Sequence, residues 1–412
     1  MRVAWRALWT SRLVVMLSGV LAVLSFGLAA GWRGFDPTGL TTPFGYFGNL
    51  VAAPFARWDS TWYLAIAHGG YDHEAARTAF FPLYPLVLRG VGVVIGSDLI
   101  AGVLVSLVAF AIALVLLYRL AALELGSEIA RVTVMLIAFC PMAYFFSAVY
   151  SDSLYLALSL GCIWQARMGR WASAGVLGLL GAAERNTGVM LVVPIALLYL
   201  YGPRADRAPV AWNPRGRLRR LLPRYPIRPP LAWALLVPLG VAAYVLWLAL
   251  TTGNGLAPFH AEHVWFRHFA GPFGGVWDGA VAAWNGFRQL LHGPPPPVYF
   301  SKAGGDALAV AGQNLMLFAF LVLGGIALIG ALRRLPLAYG AYSLAALALP
   351  LSYPVTPQPL QSLPRYEVVL FPLFMWGAWW VCRRRLETTA LASLAVLLGV
   401  FTAEFATWRF VA

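Results

Sequence analysis

Charged side chains are scarce in this chain of 412 residues. Only 11% of the residues are charged and 60% are hydrophobic, whereas about a quarter of the residues in soluble domains are charged. The mean hydropathy is +0.73. Uncharged windows of roughly 17 to 25 residues, long enough to cross a bilayer as helices, recur along the chain. This excludes a water-soluble protein and predicts an all-α polytopic membrane protein; the runs do not alternate apolar and polar residues, which disfavours a barrel.

Cysteine and lysine are also rare. Cys140, Cys162 and Cys382 lie in apolar runs without disulfide or metal-ligand spacing, so they are predicted to be small buried residues. Lys302 is the single lysine, and the net charge of +14 therefore comes from arginines. Because the arginines are distributed between apolar segments, no nucleic-acid partner is predicted. The preference for arginine indicates a GC-rich genome and a bacterial rather than a eukaryotic protein.

Eleven apolar segments are predicted to cross the membrane. They are 13–31, 99–118, 131–149, 152–168, 171–186, 187–201, 231–251, 308–331, 336–351, 366–382 and 389–408. The first follows Arg2, Arg6 and Arg12, and it is interpreted as a retained span because it is long and lacks a clear cleavage signature. The chain is predicted to form a single membrane domain over 1–412.

The arginines predict which ends of the spans face the cytoplasm. The stretch 203–230 between the N-terminal part, 1–202, and the C-terminal part, 231–412, holds eight arginines, and positive charge stays on the cytoplasmic side. The loops on the other side are then the extracytoplasmic ones. They are 32–98, 252–307 and 352–365. The predicted location is the plasma (inner) membrane, or the endoplasmic reticulum membrane if the protein is eukaryotic.

The segment 80–96 does not fit this scheme simply. It is apolar enough to cross, but Pro82 and Pro85 are expected to break any regular helix start, so it is interpreted as an interfacial or re-entrant segment. In the alternative it crosses, and a single long span covers 174–201. That alternative places Tyr150–Ser153 on the cytoplasmic side.

The first outer loop carries the residues best suited to chemistry. It contains RWDSTWYLAIAHGGYDHEAARTAFFPLYP, beginning at Arg57, where acids and aromatic rings are denser than elsewhere. A carboxylate can deprotonate an acceptor hydroxyl that attacks a sugar's anomeric carbon, while rings stack on the sugar and arginine holds a phosphate. Asp59 is the predicted base, with Asp72 and Glu74 as rivals. Alternatively, Asp59 pairs with Arg57 or caps the following helix, and the tryptophans belong to an interfacial belt.

Two groups of histidines and acids could bind a divalent metal, but neither has the spacing of a standard site. They are His68, Asp72, His73 and Glu74 in the first outer loop and His260, Glu262, His263 and His268 in the second. No metal site is therefore predicted.

Further ionisable residues lie at predicted outer ends of spans, where a charge is costly unless it is paired or hydrated. Asp152 and Arg185 could form a structural ion pair, or Arg185 could bind a donor phosphate. Arg365 could extend to the interface or contact a phosphate, and Tyr366 lies beside it.

Five motifs resemble one known family. RWDSTWY, AFFPLYP, FFSAVYSDSLYL, AAERNTG and SLPRYEVVLFPLF occur in the order found in the family of the second mannosyltransferase of glycosylphosphatidylinositol assembly. The likeness covers about 55 to 202 and 363 to 375, and 203–360 matches only in hydropathy. It implies a GT-C-type bundle of about 11 transmembrane helices, with juxtamembrane helices in the first outer loop. It also implies a polyprenyl-phosphate-linked mannose donor and inverting transfer, without a metal or other cofactor.

The resemblance also implies site residues. Trp58 and Asp59 match the family's tryptophan–aspartate pair, and the other matches are Phe80, Phe81 and Pro82, then Tyr150, Ser151 and Ser153, then, loosely, Arg185 and Asn186. Asp152 stands where many members have Glu, and Thr187 precedes a glycine where the family's spacing is tighter, which weakens the case for Arg185. With Asp59 as the catalytic residue, the predicted donor- and acceptor-binding residues are Arg57, Trp58, Trp62, Tyr63, His73, Phe81, Tyr84, Tyr150, Asp152, Arg185, Asn186, Arg365 and Tyr366.

The predicted function is transfer of mannose from a polyprenyl-phosphate-mannose donor to a lipid, glycan or protein hydroxyl on the extracytoplasmic face. In a bacterium the acceptor would be a phosphatidylinositol-type lipid, a lipoglycan or a secreted protein, and membrane lipids are the other partners. Two alternatives stay open. One is a lipid or solute transporter or flippase, although the spans have few polar residues away from their outer ends and no internal repeat is visible. The other is a GT-C enzyme that uses another lipid-linked sugar.

Overall fold

The computed structural model describes residues 1–71, 74–208, 223–293, 307–355, 358–409 and 411. Over these residues the secondary structure is helical, with short 3₁₀ turns between many of the helices. The helices are Arg2–Phe26 (α1), Tyr46–Ala52 (α2), Ser60–Gly69 (α3), Leu83–Ile95 (α4), Asp98–Leu125 (α5), Ser127–Phe139 (α6), Asp152–Arg167 (α7), Trp171–Glu184 (α8), Val192–Tyr201 (α9), Leu236–Thr252 (α10), Ala257–Val264 (α11), Gly274–His292 (α12), Ala307–Arg334 (α13), Leu337–Ser352 (α14), Leu363–Val368 (α15), Phe371–Arg384 (α16) and Glu387–Ala406 (α17).

Among the described residues, five helical segments are long and apolar enough to cross a membrane. They are Arg2–Phe26, Asp98–Leu125, Pro229–Thr252, Ala307–Arg334 and Glu387–Ala406. Shorter apolar helical segments cover Leu83–Ile95, Asn186–Tyr201 and Leu337–Ser352. Helices satisfy their own backbone hydrogen bonds in lipid, where water cannot. The predicted all-α, multi-pass membrane protein is confirmed, and the first outer loop contains short helices as predicted.

The central helix of the bundle is α7, which packs against α5, α8 and α9. Side chains such as Leu156, Leu160 and Ile163 are fully buried, because a helix that is apolar on every side can be surrounded by others. Asp152 is the first residue of α7. A rigid, enclosed helix therefore fixes the position of this acidic side chain.

The predicted span 131–149 is not one continuous helix. Helix α6 ends at Phe139, and an irregular stretch with a 3₁₀ turn over Ala143–Phe146 follows. Pro141 explains the break, since the residue before a proline is pushed out of the helical region, and Cys140 has an extended conformation (φ −52°, ψ 143°).

Arg12 does not flank the first span, contrary to the sequence interpretation. It lies inside α1, is buried, and donates hydrogen bonds to the carbonyls of Ala143 (2.7 Å) and Ala138 (3.2 Å) and to Ser147 Oγ (2.7 Å). The irregular stretch leaves backbone acceptors without helical partners in apolar surroundings, and the guanidinium has five donors with which to satisfy them.

The segment 80–96 forms the helix α4 rather than an interrupted stretch. Pro82 immediately precedes the helix and Pro85 lies in its first turn, where a missing N–H costs nothing, so the expectation that they prevent a regular helix was wrong. Its 13 residues extend roughly 20 Å at 1.5 Å per residue. The helix is thus shorter than the roughly 30 Å thickness of a hydrocarbon core, and its position as an interfacial or re-entrant segment stays a prediction.

Segments predicted to lie on the same side of the membrane contact one another. At one end of the bundle, the Val149 N–H donates to the Phe55 carbonyl (2.9 Å). At the other end, Arg167 forms an ion pair with Glu124 (2.7 Å) and accepts a hydrogen bond from the Ala205 N–H (2.9 Å). The alternative that separates Tyr150–Ser153 from the first outer loop was therefore wrong. The single span over 174–201 was wrong too, because Arg185 is extended between α8 and a 3₁₀ turn.

Candidate active site

Asp59 lies in a tight turn at the start of α3. Trp58 has a left-handed backbone conformation (φ +51°). Tyr150 holds the turn: its hydroxyl accepts a hydrogen bond from the Asp59 N–H (3.1 Å) and donates one to the Arg57 carbonyl (3.2 Å). The Asp59 side chain is 31% exposed and makes no capping hydrogen bond to α3. The carboxylate is thus accessible, and the expectation that it caps the helix was wrong.

Arg365, in α15, joins two carboxylates. Its Nη1 donates to Asp59 Oδ2, and its Nε donates to Asp152 Oδ2 (2.9 Å). Its Nη2 lies 3.4 Å from the Tyr63 hydroxyl. The guanidinium carbon also lies 4.5 Å from the centre of the Tyr150 ring, as in a cation–π contact. The planar fork of arginine suits several acceptors at once, and here it assembles the site from three parts of the chain.

Asp152 also holds a second arginine. Its side chain is fully buried (0% exposed), and Oδ1 accepts a hydrogen bond from Arg185 Nη2 (2.9 Å), which confirms the predicted ion pair. The same Nη2 donates to Ser151 Oγ (3.2 Å). Nη1 of Arg185 is buried and has no hydrogen-bond partner among the described residues. A buried donor without an acceptor costs roughly 1–3 kcal/mol, so this atom is suited to an anionic ligand.

The charges of this cluster balance. Arg185 and Arg365 bring two positive charges, and Asp59 and Asp152 bring two negative ones. Burial raises the pKa of Tyr63 to about 12, so its phenol stays neutral. The Tyr63 hydroxyl donates to Ser151 Oγ (3.0 Å). A phosphate that enters would therefore find two guanidinium groups whose charges the protein already compensates.

Aromatic rings from two outer loops lie beside α3. The Trp62 ring stacks on Phe80 (5.9 Å between centres) and meets the edge of Trp265 (5.5 Å). Trp62 is three residues after Asp59, and such residues share a helix face. Trp265 follows α11 and was missed by the sequence interpretation; its position in an aromatic-rich outer loop was the available signal. Such rings can stack on a sugar.

Two other predicted residues, Tyr84 and Phe81, pack against neighbouring helices rather than facing the charged cluster. Tyr84 is fully buried and its hydroxyl donates to the Gly102 carbonyl (3.1 Å), while its ring lies 5.0 Å from that of Tyr63. Phe81 packs on Tyr244 (5.0 Å). The first contact holds α3 against α4, and the second holds the residues that precede α4 against α10.

Asp59 pairs with Arg365 and Arg57 has other partners, so the alternative of an Arg57–Asp59 pair was wrong. Arg57 is 2% exposed, donates to the Ala406 carbonyl (2.9 Å) and lies 5.3 Å from the Trp408 ring centre. Its role in the structure is to tie the first outer loop to the end of α17.

The remaining predicted residues lie at different distances from the cluster. The Tyr366 ring centre is 6.0 Å from the Arg185 guanidinium carbon, and Asn186 Oδ1 accepts from the Thr187 N–H (2.7 Å). Glu74 pairs with Arg77 (2.8 Å) rather than joining the cluster. His73, like Asp72, lies outside the described residues. Within the described part of the chain, no group of three or more His, Cys, Asp or Glu side chains could hold a metal ion.

Residues 44–195 match the family described as Mannosyltransferase (PIG-V). This range, somewhat more than a third of the chain, is similar to the PIG-V mannosyltransferase family. The matched range includes Asp59, Asp152 and Arg185. Arg365 lies beyond it.

Curated proteins from rodents are similar to part of this chain. GPI alpha-1,6-mannosyltransferase 2 of Cricetulus griseus is 30% identical over 148 residues, which are 33% of this chain and 30% of the relative. The protein of the same name from Rattus norvegicus is 29% identical over 177 residues, 38% of this chain and 35% of the relative. The similarity thus spans about a third of the length of these relatives.

Solved structures show a weaker likeness. The Archaeoglobus fulgidus oligosaccharyltransferase tethered with an acceptor peptide has a TM-score of 0.45 and 12% identity, over 97% of this chain and 55% of that chain. The apo form of the same enzyme has a TM-score of 0.42 and 12% identity, over 98% and 56%. Similarity at this level does not establish a shared fold, and the GT-C arrangement stays a prediction.

Proposed function

We propose that this chain moves mannose from a polyprenyl-phosphate-mannose donor to a hydroxyl of a lipid, a glycan or a protein, with inversion at the anomeric carbon. The observation that carries the proposal is the ion pair between Asp59 and Arg365, beside a second arginine. It brings a partly exposed carboxylate next to guanidinium groups in one place. Such a transfer needs a base for the acceptor hydroxyl, and it needs positive groups for the donor phosphate close to that base.

In this reaction Asp59 removes the proton of the acceptor hydroxyl as the oxygen attacks the anomeric carbon. Arg185, with its unpartnered Nη1, and Arg365 bind the donor phosphate and stabilise the charge that develops on it. Trp62 and Trp265 stack against a sugar ring. The chain needs no metal in this scheme, because the two arginines supply the positive charge.

We propose that the helices form a GT-C-type bundle with about eleven crossings and that the site faces the extracytoplasmic side of the plasma membrane. The arginines of 203–230 and the contacts at the two ends of the bundle support this sidedness. The acceptor we expect in a bacterium is a phosphatidylinositol-type lipid, a lipoglycan or a secreted protein.

The test is transfer of radiolabelled mannose from purified polyprenyl-phosphate-mannose by the protein in nanodiscs, with candidate acceptors supplied one class at a time. Asp59→Asn should lower the turnover at least about a thousandfold, since it removes a general base and a charge at the reacting centre. Its melting temperature should stay close to that of the wild type.

Glu74→Gln is the matched control, because it neutralises an acid in the same loop that pairs with Arg77 rather than with the Asp59–Arg365 cluster. It should keep full turnover. Full activity of Asp59→Asn would refute the role of Asp59. Transfer of glucose or arabinose instead of mannose would correct the donor, and lipid flipping without transfer would point to a transporter.

A further inference from the structure

The guanidinium of Arg365 has one fixed partner and one accessible partner. Nε pairs with Asp152, which is fully buried and uses its other oxygen for Arg185. Nη1 pairs with Asp59, whose side chain is 31% exposed. Among the described residues, Nη2 makes only the long contact, 3.4 Å, with the neutral Tyr63 hydroxyl. The guanidinium can therefore turn about Asp152 and leave Asp59 without losing its buried counter-ion.

In this arrangement the base is engaged before any substrate is bound. Asp59 Oδ2 accepts a hydrogen bond from Arg365, so the guanidinium already occupies one oxygen of the carboxylate. A donor phosphate placed against Arg185 Nη1 would offer Arg365 a second anionic partner. The carboxylate of Asp59 and the phosphate would then compete for the same guanidinium.

The proposed reaction moves negative charge between these two partners. The acceptor O–H bond breaks and its proton goes to Asp59, which changes from −1 to neutral. The acceptor oxygen bonds to the anomeric carbon, and the bond from that carbon to the phosphate oxygen breaks with its electron pair left on oxygen. The phosphodiester, at −1, becomes a phosphomonoester at −2. The sum of the charges is unchanged, but one unit has moved from the base to the leaving group.

We propose that Arg365 is shared between the base and the leaving group: it holds Asp59 in the resting enzyme and shifts to the phosphate when the donor binds. Asp59 is thereby released for proton transfer only when a donor is present. Asp152 is the positioning residue that keeps the guanidinium in place during the shift. This inference rests on the proposed function, since it takes Asp59 as the base and a phosphate-linked sugar as the donor.

A shared arginine has a consequence that a fixed phosphate ligand lacks. If Asp59 competes with phosphate for Arg365, removal of the Asp59 charge must strengthen phosphate binding while it abolishes transfer. Two sites that compete for one group are coupled, typically by a factor of about 5 to 150. Asp59→Asn should therefore bind polyprenyl phosphate at least about fivefold more tightly than the wild type.

The experiment measures the Kd of polyprenyl phosphate for the full chain in nanodiscs by calorimetry. The variants are Asp59→Asn, Arg365→Gln and the double variant, with Glu74→Gln as the control for loss of a nearby acid. Arg365→Gln should bind more weakly than the wild type, and adding Asp59→Asn to it should leave the Kd within about twofold, because the competition has been removed. If Arg365→Gln does not fold, Arg365→Lys takes its place, since a lysine lacks the fork that reaches both partners.

Two results would overturn the inference. One is an Asp59→Asn Kd equal to or weaker than that of the wild type. The other is an equal gain in affinity with and without Arg365, which would mean simple repulsion between carboxylate and phosphate. A wild type that transfers mannose and fails this test refutes only the shared arginine. A wild type that does not bind polyprenyl phosphate refutes the proposed donor instead.

Discussion

Asp152 is the buried counter-ion of both arginines in the site. It is fully buried, and each of its oxygens pairs with a different arginine. Removing one member of a buried ion pair leaves a charge without compensation, which typically costs about 3–5 kcal/mol. Without the Asp152 carboxylate, the cluster of Asp59, Asp152, Arg185 and Arg365 would keep two guanidinium groups and a single acid, Asp59.

Asp152→Asn should therefore lower the free energy of unfolding by about 3 kcal/mol or more, and it should reduce transfer because Arg365 loses its fixed partner. Thermal unfolding in detergent, followed by tryptophan fluorescence, measures the first effect. Ser159→Ala, on the same helix and hydrogen-bonded to the Leu156 carbonyl in its own turn, is the control and should cost about 1 kcal/mol. Equal loss in the two variants would contradict the role given to Asp152.

The pairings at the residue scale show what sequence can and cannot predict. Asp152 and Arg185 were predicted as partners because both lie at the ends of neighbouring apolar segments, where a lone charge is costly. For Asp59, closeness in sequence suggested Arg57 as a partner. Its partner in the structure is Arg365, 306 residues away. Local charge patterns identify which side chains need partners. They do not identify a partner that only the packing of distant helices brings near.

At the scale of elements, a close backbone approach sets the position of Arg185. The 3₁₀ turn over Asn186–Leu191 packs on α8 at Gly188, where an added Cβ would overlap the Gly181 carbonyl oxygen. Arg185 is the extended residue between the two elements. The sequence predicted a boundary close to this point, but the spacing around Thr187, which weakened the case for Arg185, gave no sign that a glycine was needed for contact.

Gly188→Ala should separate the turn from α8, lower the melting temperature and reduce transfer at least about tenfold, in the range expected when a phosphate-binding group is displaced by about 1 Å. Gly312→Ala in α13 is the control, because a Cβ there meets nothing within 4 Å. Replacing this helical glycine should be neutral or stabilising by up to about 1 kcal/mol. Equal melting temperatures and activities in the two variants would show that the contact at Gly188 is unimportant.

Other helix ends were predictable only in part. Pro141 in the predicted span 131–149 was a visible reason for a break, and the helix does end just before it. Hydropathy nevertheless predicted one continuous span across Pro141. An irregular stretch that is buried in protein can be as apolar as a membrane-spanning helix, so hydropathy does not distinguish the two. The donors that satisfy this stretch come from Arg12, and no local pattern connects the two.

At the scale of the whole molecule, the arginines predict which end of the bundle faces the cytoplasm. Thr38, in the first outer loop, and Arg207, at the other end, are both exposed in the structure. In a Cys382→Ser background, with Cys140 and Cys162 buried, single cysteines can report on each side.

Thr38→Cys should react with a membrane-impermeant maleimide in intact cells, because positive charge retains the other end inside. Arg207→Cys should react only after the membrane is permeabilised. Labelling is read as a mass shift on a gel, with the Cys382→Ser parent as the unlabelled control. The reverse pattern would place Asp59 in the cytoplasm and contradict an extracytoplasmic reaction.

The distance in sequence between Asp59 and Arg365 has a consequence for biosynthesis. A ribosome that has delivered the first half of the chain to the membrane has already released Asp59, Asp152 and Arg185, but the 306 residues that separate Asp59 from Arg365 are still incomplete. The nascent site then lacks the cation that joins its two acids. Arg57 likewise depends on the Ala406 carbonyl, 349 residues later, so the first outer loop acquires this anchor only after Ala406 has been synthesised. A fragment that ends before Arg365 therefore contains Asp59 without the ion pair that holds it in the full chain.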